Sequence, residues 1–336
     1  MLTKLLATIT GCLIILLLGV TIGSVYVPPG DVFNIIGHAT LGRELASHIT
    51  PANYAIVWNL RLPRVLIALL AGAALSVSGA LMQSVLRNPL ASSYTLGVSS
   101  GASLGAALVI FLGVSLPVLP VLTLPVLGFV FGFATILLAM AFASRLDGQM
   151  ENVTIILVGM VFSLFINAFT TLLSAISREH IQRLVFWQMG SFSMLDWRPV
   201  LILAPVTVIG IIYIYYFRWE LNVMTFGEEQ ARSMGVDSRK IKWALLLASA
   251  VLTGGTIAFV GVVGFVDLVA PHVVRKIFGS AHNVVIPMSA VMGGAFMVLC
   301  DLAARTVIAP VELPVGAVTA LIGAPFFAYV YFSQRR

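Results

Sequence analysis

Long stretches of this chain carry no charged side chain. Leu5 to Gly30, Val65 to Leu86, Asn88 to Ser144, Asn152 to Ser177, Pro199 to Phe217, Trp243 to Val266, Ile277 to Cys300 and Leu313 to Gln334 contain no Asp, Glu, Lys or Arg. An α-helix needs about 20 apolar residues to cross a hydrocarbon core about 30 Å thick. Inside lipid every backbone N–H and C=O must be satisfied within the segment, which a helix achieves. The runs therefore dictate an all-α, polytopic membrane protein folded as one bundle. Composition agrees: 60% of residues are apolar, 10% are charged and the mean hydropathy is +1.05, against roughly 25% charged residues in soluble domains.

The run from Asn88 to Ser144 is too long for one helix, and Gly113, Pro117 and Pro120 interrupt its middle, where two helices joined by a turn are expected. That makes nine spans. The first run follows Lys4 as a signal peptide would, but it is too long and lacks a small-residue cleavage site, so it is expected to stay as the first helix. With a cytoplasmic N-terminus, Arg87, Arg145 and the segment 218–242 fall inside, as the positive-inside rule favours. Nine spans would leave Arg335 and Arg336 outside. A tenth crossing within Gly264 to Gly279 brings both termini into the cytoplasm. From Gly264 to Val274 a helix rises only about 16 Å, so this crossing is expected to be short, broken or buried in the bundle. Residues 1–336 form a single transmembrane domain in this reading.

Arg218 to Lys242 stands apart. It holds Arg218, Glu220, Glu228, Glu229, Arg232, Asp237, Arg239, Lys240 and Lys242, and reads as a surface for water or a soluble partner. Glu228 to Met234 is expected to form a short helix broken by Gly235, with Asp237 and Ser238 capping a second. Small residues recur at four-residue spacing (Gly72, Ser76, Ala80; Gly97, Gly101, Gly105; Gly128, Gly132), the pattern that lets helix backbones approach closely in lipid.

No catalytic constellation is expected. None of the four lysines follows a glycine, so no phosphate-binding loop exists, and HExxH is missing. Cys12 and Cys300 have no metal-ligand spacing, and no basic cluster interleaved with aromatics suggests nucleic acid. Asp267 falls inside the tenth crossing, where a carboxylate is costly; it is expected to pair with His272 or Arg275. Asp301 and Arg305, four apart, are expected to form a helix-surface pair.

Five segments resemble the permease family of ABC importers for iron-siderophores, haem and cobalamin. They are Arg61-Leu62-Pro63-Arg64 before an apolar helix, QSVLRNPLASSYTLGVSSG at Gln83 to Gly101, GEEQARSMGVDSRKIK at Gly227 to Lys242, AFVGVVGFVDLVAPHVVR at Ala258 to Arg275 and ELPVGAVTALIGAPFF at Glu312 to Phe327. One departure is Asp267, where the family carries a small residue.

The resemblance implies ten helices per subunit, cytoplasmic termini and a homodimer with the path at its two-fold axis. Two ATP-binding cassette subunits would supply ATP and Mg, this chain binding no cofactor or metal, and a soluble binding protein would deliver cargo. The loop at about 218–242, between helices six and seven, would fold into two short coupling helices set in a groove of the ATPase, with Glu228, Glu229, Ala231, Arg232, Met234 and Gly235 at the contact. Arg61, Arg64 and Arg305 match arginines that pair with glutamates of the binding protein, for which a planar guanidinium is suited. Asn152 and Val153 align with the cytoplasmic gate. The setting implied is the plasma membrane, the inner one in a Gram-negative cell. Iron-siderophore is the expected cargo, with haem, cobalamin, molybdate or tungstate as alternatives, and an ion-coupled secondary transporter as a more distant one.

Overall fold

A computed structural model describes residues 2–176, 178–193 and 195–333, and every regular element among them is helical. In chain order these are α1 (Leu2–Thr21), α2 (Pro29–Leu41), α3 (Pro51–Ala55), a π-helical stretch (Ile56–Arg61) leading into α4 (Leu62–Val85), α5 (Val98–Leu112), α6 (Thr123–Leu146), α7 (Asn152–Ile176), α8 (Ile181–Gln188), α9 (Trp197–Tyr216), α10 (Arg218–Met224), α11 (Glu228–Ser233), α12 (Ser238–Val260), α13 (Val266–Phe278), α14 (His282–Thr306) and α15 (Val315–Ser333). Among the described residues, seven helices are long and apolar enough to cross a membrane: α1, the continuous run Pro51–Val85, α6 with its preceding turn, α7, α9, α12 and α14. Apolar stretches in α5 and α15 are shorter. At 13 residues, α13 would rise only about 20 Å.

The bundle is built around α4, of which 19 of 24 residues are buried. Small side chains make this possible. A Cβ on Gly72 would overlap the carbonyl of Gly293 on α14, and one on Gly79 would overlap the carbonyl of Asp267 on α13. A Cβ on Gly101 or Gly105 would likewise strike α6 at the carbonyls of Phe131 and Leu127. The small-residue spacing thus packs helices within the chain. Hydroxyls add polar joints: Ser78 of α4 meets Ser93, Ser249 and Thr253, at 2.7, 2.5 and 2.8 Å, and Ser93 meets Ser249 at 2.6 Å. Four hydroxyls supply four donors for these four contacts, so the buried group satisfies itself.

Several expectations are corrected. The first helix ends at Thr21, not near Gly30, and α2 and α3 follow where no element was foreseen. Residues 88–97, inside a run expected to be helical, form a turn-rich segment with Ala91, Ser92, Ser93 and Leu96 buried. Asn88-Pro89 breaks the helix there, because proline disfavours helical backbone in the residue before it. Two short helices do occupy 218–242, but they are α10 and α11; Asp237 caps the long α12, its carboxylate accepting from Lys240 N at 3.2 Å. Arg335 and Arg336, on which the parity argument drew, lie outside the described residues.

Helix ends alternate between two poles. At one, Lys4 Nζ donates to the Ile277 carbonyl at the end of α13, and His282 at the start of α14 meets Asn222 of α10. At the other, the end of α1 meets Arg61, and Arg64 meets Asp301 on α14 and Glu312 before α15.

Candidate functional site: two polar clusters at opposite poles

At the Lys4 pole, α11 is tied to two other elements. Lys242, one turn into α12, is fully buried; its Nζ donates to Glu228 Oε1 at 2.6 Å and to the Met150 carbonyl at 2.7 Å. Arg232 reaches Gln149 Oε1 at 3.3 Å. Residues 147–151 are held by Asp147, which accepts from the amides of Gln149 and Glu151 at 2.9 and 2.6 Å. The backbone N–H of Glu151, then that of Gln149, keeps the Asp147 carboxyl below its usual range. The next residues are Asn152 and Val153. The Asn152 Oδ1 is buried with no partner among the described residues, and the Val153 side chain is exposed. The fold thus brings the expected coupling residues Glu228 and Arg232 against the segment that opens α7 and carries the expected gate.

Ala231 anchors α11 in a small core with Val223, Met224 and Val236. Met234 and Phe226 are exposed, and Gly235 takes a left-handed φ of 83° where the chain turns toward α12. Exposed apolar tips beside the exposed Glu229 form a surface suited to a protein partner.

A second network runs inward from α10. Asn222 Oδ1 accepts from His282 N at 2.9 Å and lies 2.7 Å from its Nδ1, while His282 Nε2 lies 2.7 Å from Ser84 Oγ. Arg275 donates to Ser84 Oγ at 3.2 Å, to the Ala80 carbonyl at 3.0 Å and to the Gln83 side chain, which donates to the Asp267 carbonyl at 3.1 Å. These contacts join α10, α14, α4 and α13. With Arg87, His272 and Lys276, Arg275 also lines a basic cavity of about 720 Å³. The expected partners of Asp267 are corrected: its buried carboxylate takes a hydrogen bond from the Ser92 hydroxyl. His272 is five residues on, about 140° around the helix, and Arg275 is eight on, about 12 Å along it, so neither can reach.

At the opposite pole Arg61, Arg64 and Arg305 line one cavity of about 610 Å³ with Phe192, Ser193 and Glu312. The Arg61 guanidinium is buried and donates to the carbonyls of Val20, Thr21 and Val25, closing the C-terminus of α1. Arg64 forks between two carboxylates, with Nε to Asp301 Oδ1 at 2.9 Å and Nη1 to Glu312 Oε1 at 2.9 Å. Arg305 lies 3.5 Å from Asp301 Oδ2 and donates to the Gly19 carbonyl. Asp301 is 1% exposed, so its pairing is interior and shared by two arginines, where a helix-surface pair was expected. Burial pushes the Glu312 carboxyl up, but hydrogen bonds from Arg64 and Ser193 outweigh it and hold the group below its usual range.

Sequence reasoning missed Asn222, His282, Gln83, Ser84, Glu312 and the buried role of Lys242. Only His282, at the head of the otherwise apolar α14, offered a signal.

The model of the FecCD transport family matches residues 11–333. An uncharacterized ABC transporter permease protein of Bacillus subtilis, YvrB, is 42% identical over 96% of this chain and 91% of its own length. The Fe(3+)-citrate import system permease protein YfmD of Bacillus subtilis is 36% identical over 89% of this chain and 91% of its own; others, 33–38% identical, are named for molybdate, cobalamin and hemin. A solved metal-chelate type ABC transporter in an inward-facing conformation superposes with a TM-score of 0.86 at 29% identity, covering 99% of this chain and all of that one. With a family model spanning nearly its whole length and relatives of this identity at near-complete coverage, the chain belongs to the FecCD transport family, as a multi-pass permease of the cell membrane.

Proposed function

We propose that this chain is the membrane-spanning subunit of an ATP-driven importer of a metal chelate. Two copies would enclose the path, two ATP-binding cassette subunits carrying ATP and Mg would meet the Lys4 pole, and a soluble binding protein would dock at the Arg61 pole. The observation that carries this reading is the tie of α11 to the segment that opens into α7. In a family without its own phosphate-binding loop, work must come from a second chain, and here the surface helix that would receive it is bonded to Gln149 and to Lys242 of α12, which in turn holds the Met150 carbonyl, just before Asn152.

Closure of the ATPase would shift α11. The Glu228–Lys242–Met150 link would carry that shift to the start of α7, and Asn222–His282–Ser84–Arg275 would carry it to α4 and α13. Ten crossings with both termini on the Lys4 side fit the alternation of the helix ends, with α13 as the short return. Docking of the binding protein would engage Arg64, whose contact to the exposed Glu312 is the one a partner carboxylate can replace; Arg61 and Arg305 would hold the mouth in shape. Iron-chelate cargo is the first reading, supported by the relative named for Fe(3+)-citrate, with haem, cobalamin or an oxyanion as alternatives.

Disulfide trapping tests the reading. In the complex with its ATPase, cysteines replacing Glu229 and Met234 should cross-link to cysteines in the ATPase groove, and ATP should change the yield. An ATPase that co-purifies but never cross-links at these positions would remove the coupling role of α11.

A further inference from the structure

A recess of about 320 Å³ lies midway along the bundle, lined by Ser99, Ser100 and Ser103 of α5, Asn167 of α7, Gln188 at the end of α8, and Val262 in the break between α12 and α13. Asn167 stands 15 residues from the start of α7 and nine from its end, so about 22 Å and 14 Å along the axis. That depth is inside the hydrocarbon core.

None of the five polar side chains has a hydrogen-bond partner among the described residues, although Ser100 and Ser103 are only 8% and 6% exposed. Their neighbours behave differently. Ser163, Thr170, Thr171 and Ser174 of α7 each donate to the carbonyl four residues back, the usual way a hydroxyl is satisfied in a membrane helix. The α5 serines instead open onto the recess. Unpaired amides and hydroxyls at this depth persist only where water or a polar solute meets them. The break around Gly261 and the short α8 bring non-helical backbone to the same place, which is tolerated at membrane depth when it lines a cavity.

Asn167 also shares a face with the expected gate. Val153, Met160 and Asn167 recur every seven residues, which keeps them within about 40° of one another around α7. All three are exposed, as they would be along a path between two copies.

We infer that Ser99, Ser100, Ser103, Asn167 and Gln188 form a hydrated contact station in the translocation path, which takes oxygen-rich solutes by hydrogen bonds to hydroxyl, carboxylate or amide groups. Among the described residues no charged side chain lines the recess, so it selects hydrogen-bonding capacity over charge. The inference rests on the importer reading for its path, but its test does not need transport.

Cysteines replace Ser99, Asn167 or Gln188 singly, in a chain whose two buried native cysteines carry Cys12→Ala and Cys300→Ala. The complete complex in lipid nanodiscs is treated with a hydrophilic, membrane-impermeant methanethiosulfonate and with an apolar benzyl analogue. Leu13→Cys on α1 and Ile209→Cys on α9, both on exposed apolar faces, serve as controls. The three station cysteines should react with the hydrophilic reagent about a hundredfold faster than the controls, since a thiol in apolar surroundings stays protonated and inert. The controls should prefer the benzyl reagent. Asn167→Leu with Ser103→Val should slow hydrophilic labelling at Gln188→Cys. Station cysteines that label no faster than the controls would overturn the inference. So would cysteines at 167 that join the two copies by disulfides and resist the reagent, which would make the patch a packing seam. Labelling without ATP-dependent uptake would remove the importer and leave the hydrated chamber; uptake without labelling would remove the station alone.

Discussion

The Glu228–Lys242 pair makes an asymmetric prediction. The Lys242 ammonium is fully buried, whereas the Glu228 side chain is 24% exposed. Glu228→Ala would strand the ammonium in the interior with one acceptor, the Met150 carbonyl, and removal of one partner from a buried pair costs about 3–5 kcal/mol. Lys242→Met removes the buried charge and keeps much of the volume. Glu228 can then turn to water, and the main loss is one orphaned carbonyl, about 1–3 kcal/mol. The double variant should be no less stable than Lys242→Met alone, because the ion that needed a partner is gone. Thermal unfolding of the purified chain would rank them, with Glu228→Ala lowest. Reconstitution would then show whether Lys242→Met hydrolyses ATP with its partner while importing poorly, as expected if the link to Met150 carries the stroke to α7. Equal, small losses for both single variants would mean that the pair is effectively solvated, and unchanged uptake by Lys242→Met would refute the mechanical role.

Three further outcomes follow from the packing. Gly105→Val should cost about 3 kcal/mol or more, because its side chain would overlap the Leu127 backbone; loss of monodisperse protein on gel filtration would show it. Arg64→Ala should destabilise by about 3–5 kcal/mol, since Asp301 would keep only the longer Arg305 contact inside the protein, and Asp301→Asn should recover part of the lost Tm. Glu312 has a folded pKa below its unfolded one, so its contribution is present above the ordinary carboxylate range and lost as pH falls through the folded value. Glu312→Gln should therefore lower Tm at pH 7 and match the unaltered chain in acid; a gap that widens in acid would contradict the pairing with Arg64.

Much of the bundle was legible because charges bracket apolar runs: Arg64 and Arg87 enclose α4, and Glu151 and Arg178 enclose α7. Run length fails where an apolar segment is not helical. Residues 88–97 carry no charge after Arg87, so only Asn88-Pro89 betrayed a buried turn segment. Gly264 to Gly279 stood out through parity, and it contains α13. The site was less readable. Arg64 finds Asp301 and Glu312, 237 and 248 residues away, and no local pattern encodes such distances. The charges of 218–242 read as solvated, yet Lys242 is interior, since composition cannot separate a surface lysine from one that a tertiary carboxylate draws inward.

The central claim is that work done on the 218–242 surface by an ATPase drives passage through this chain. Proteoliposomes holding the chain with its ATP-binding partner, ATP in the compartment facing that partner and the binding protein opposite, test it directly. Uptake of the radiolabelled metal complex that the binding protein retains should require both ATP and binding protein, and should fall in Lys242→Met while ATP hydrolysis persists. Uptake that proceeds without ATP and follows an imposed proton or sodium gradient would contradict the account.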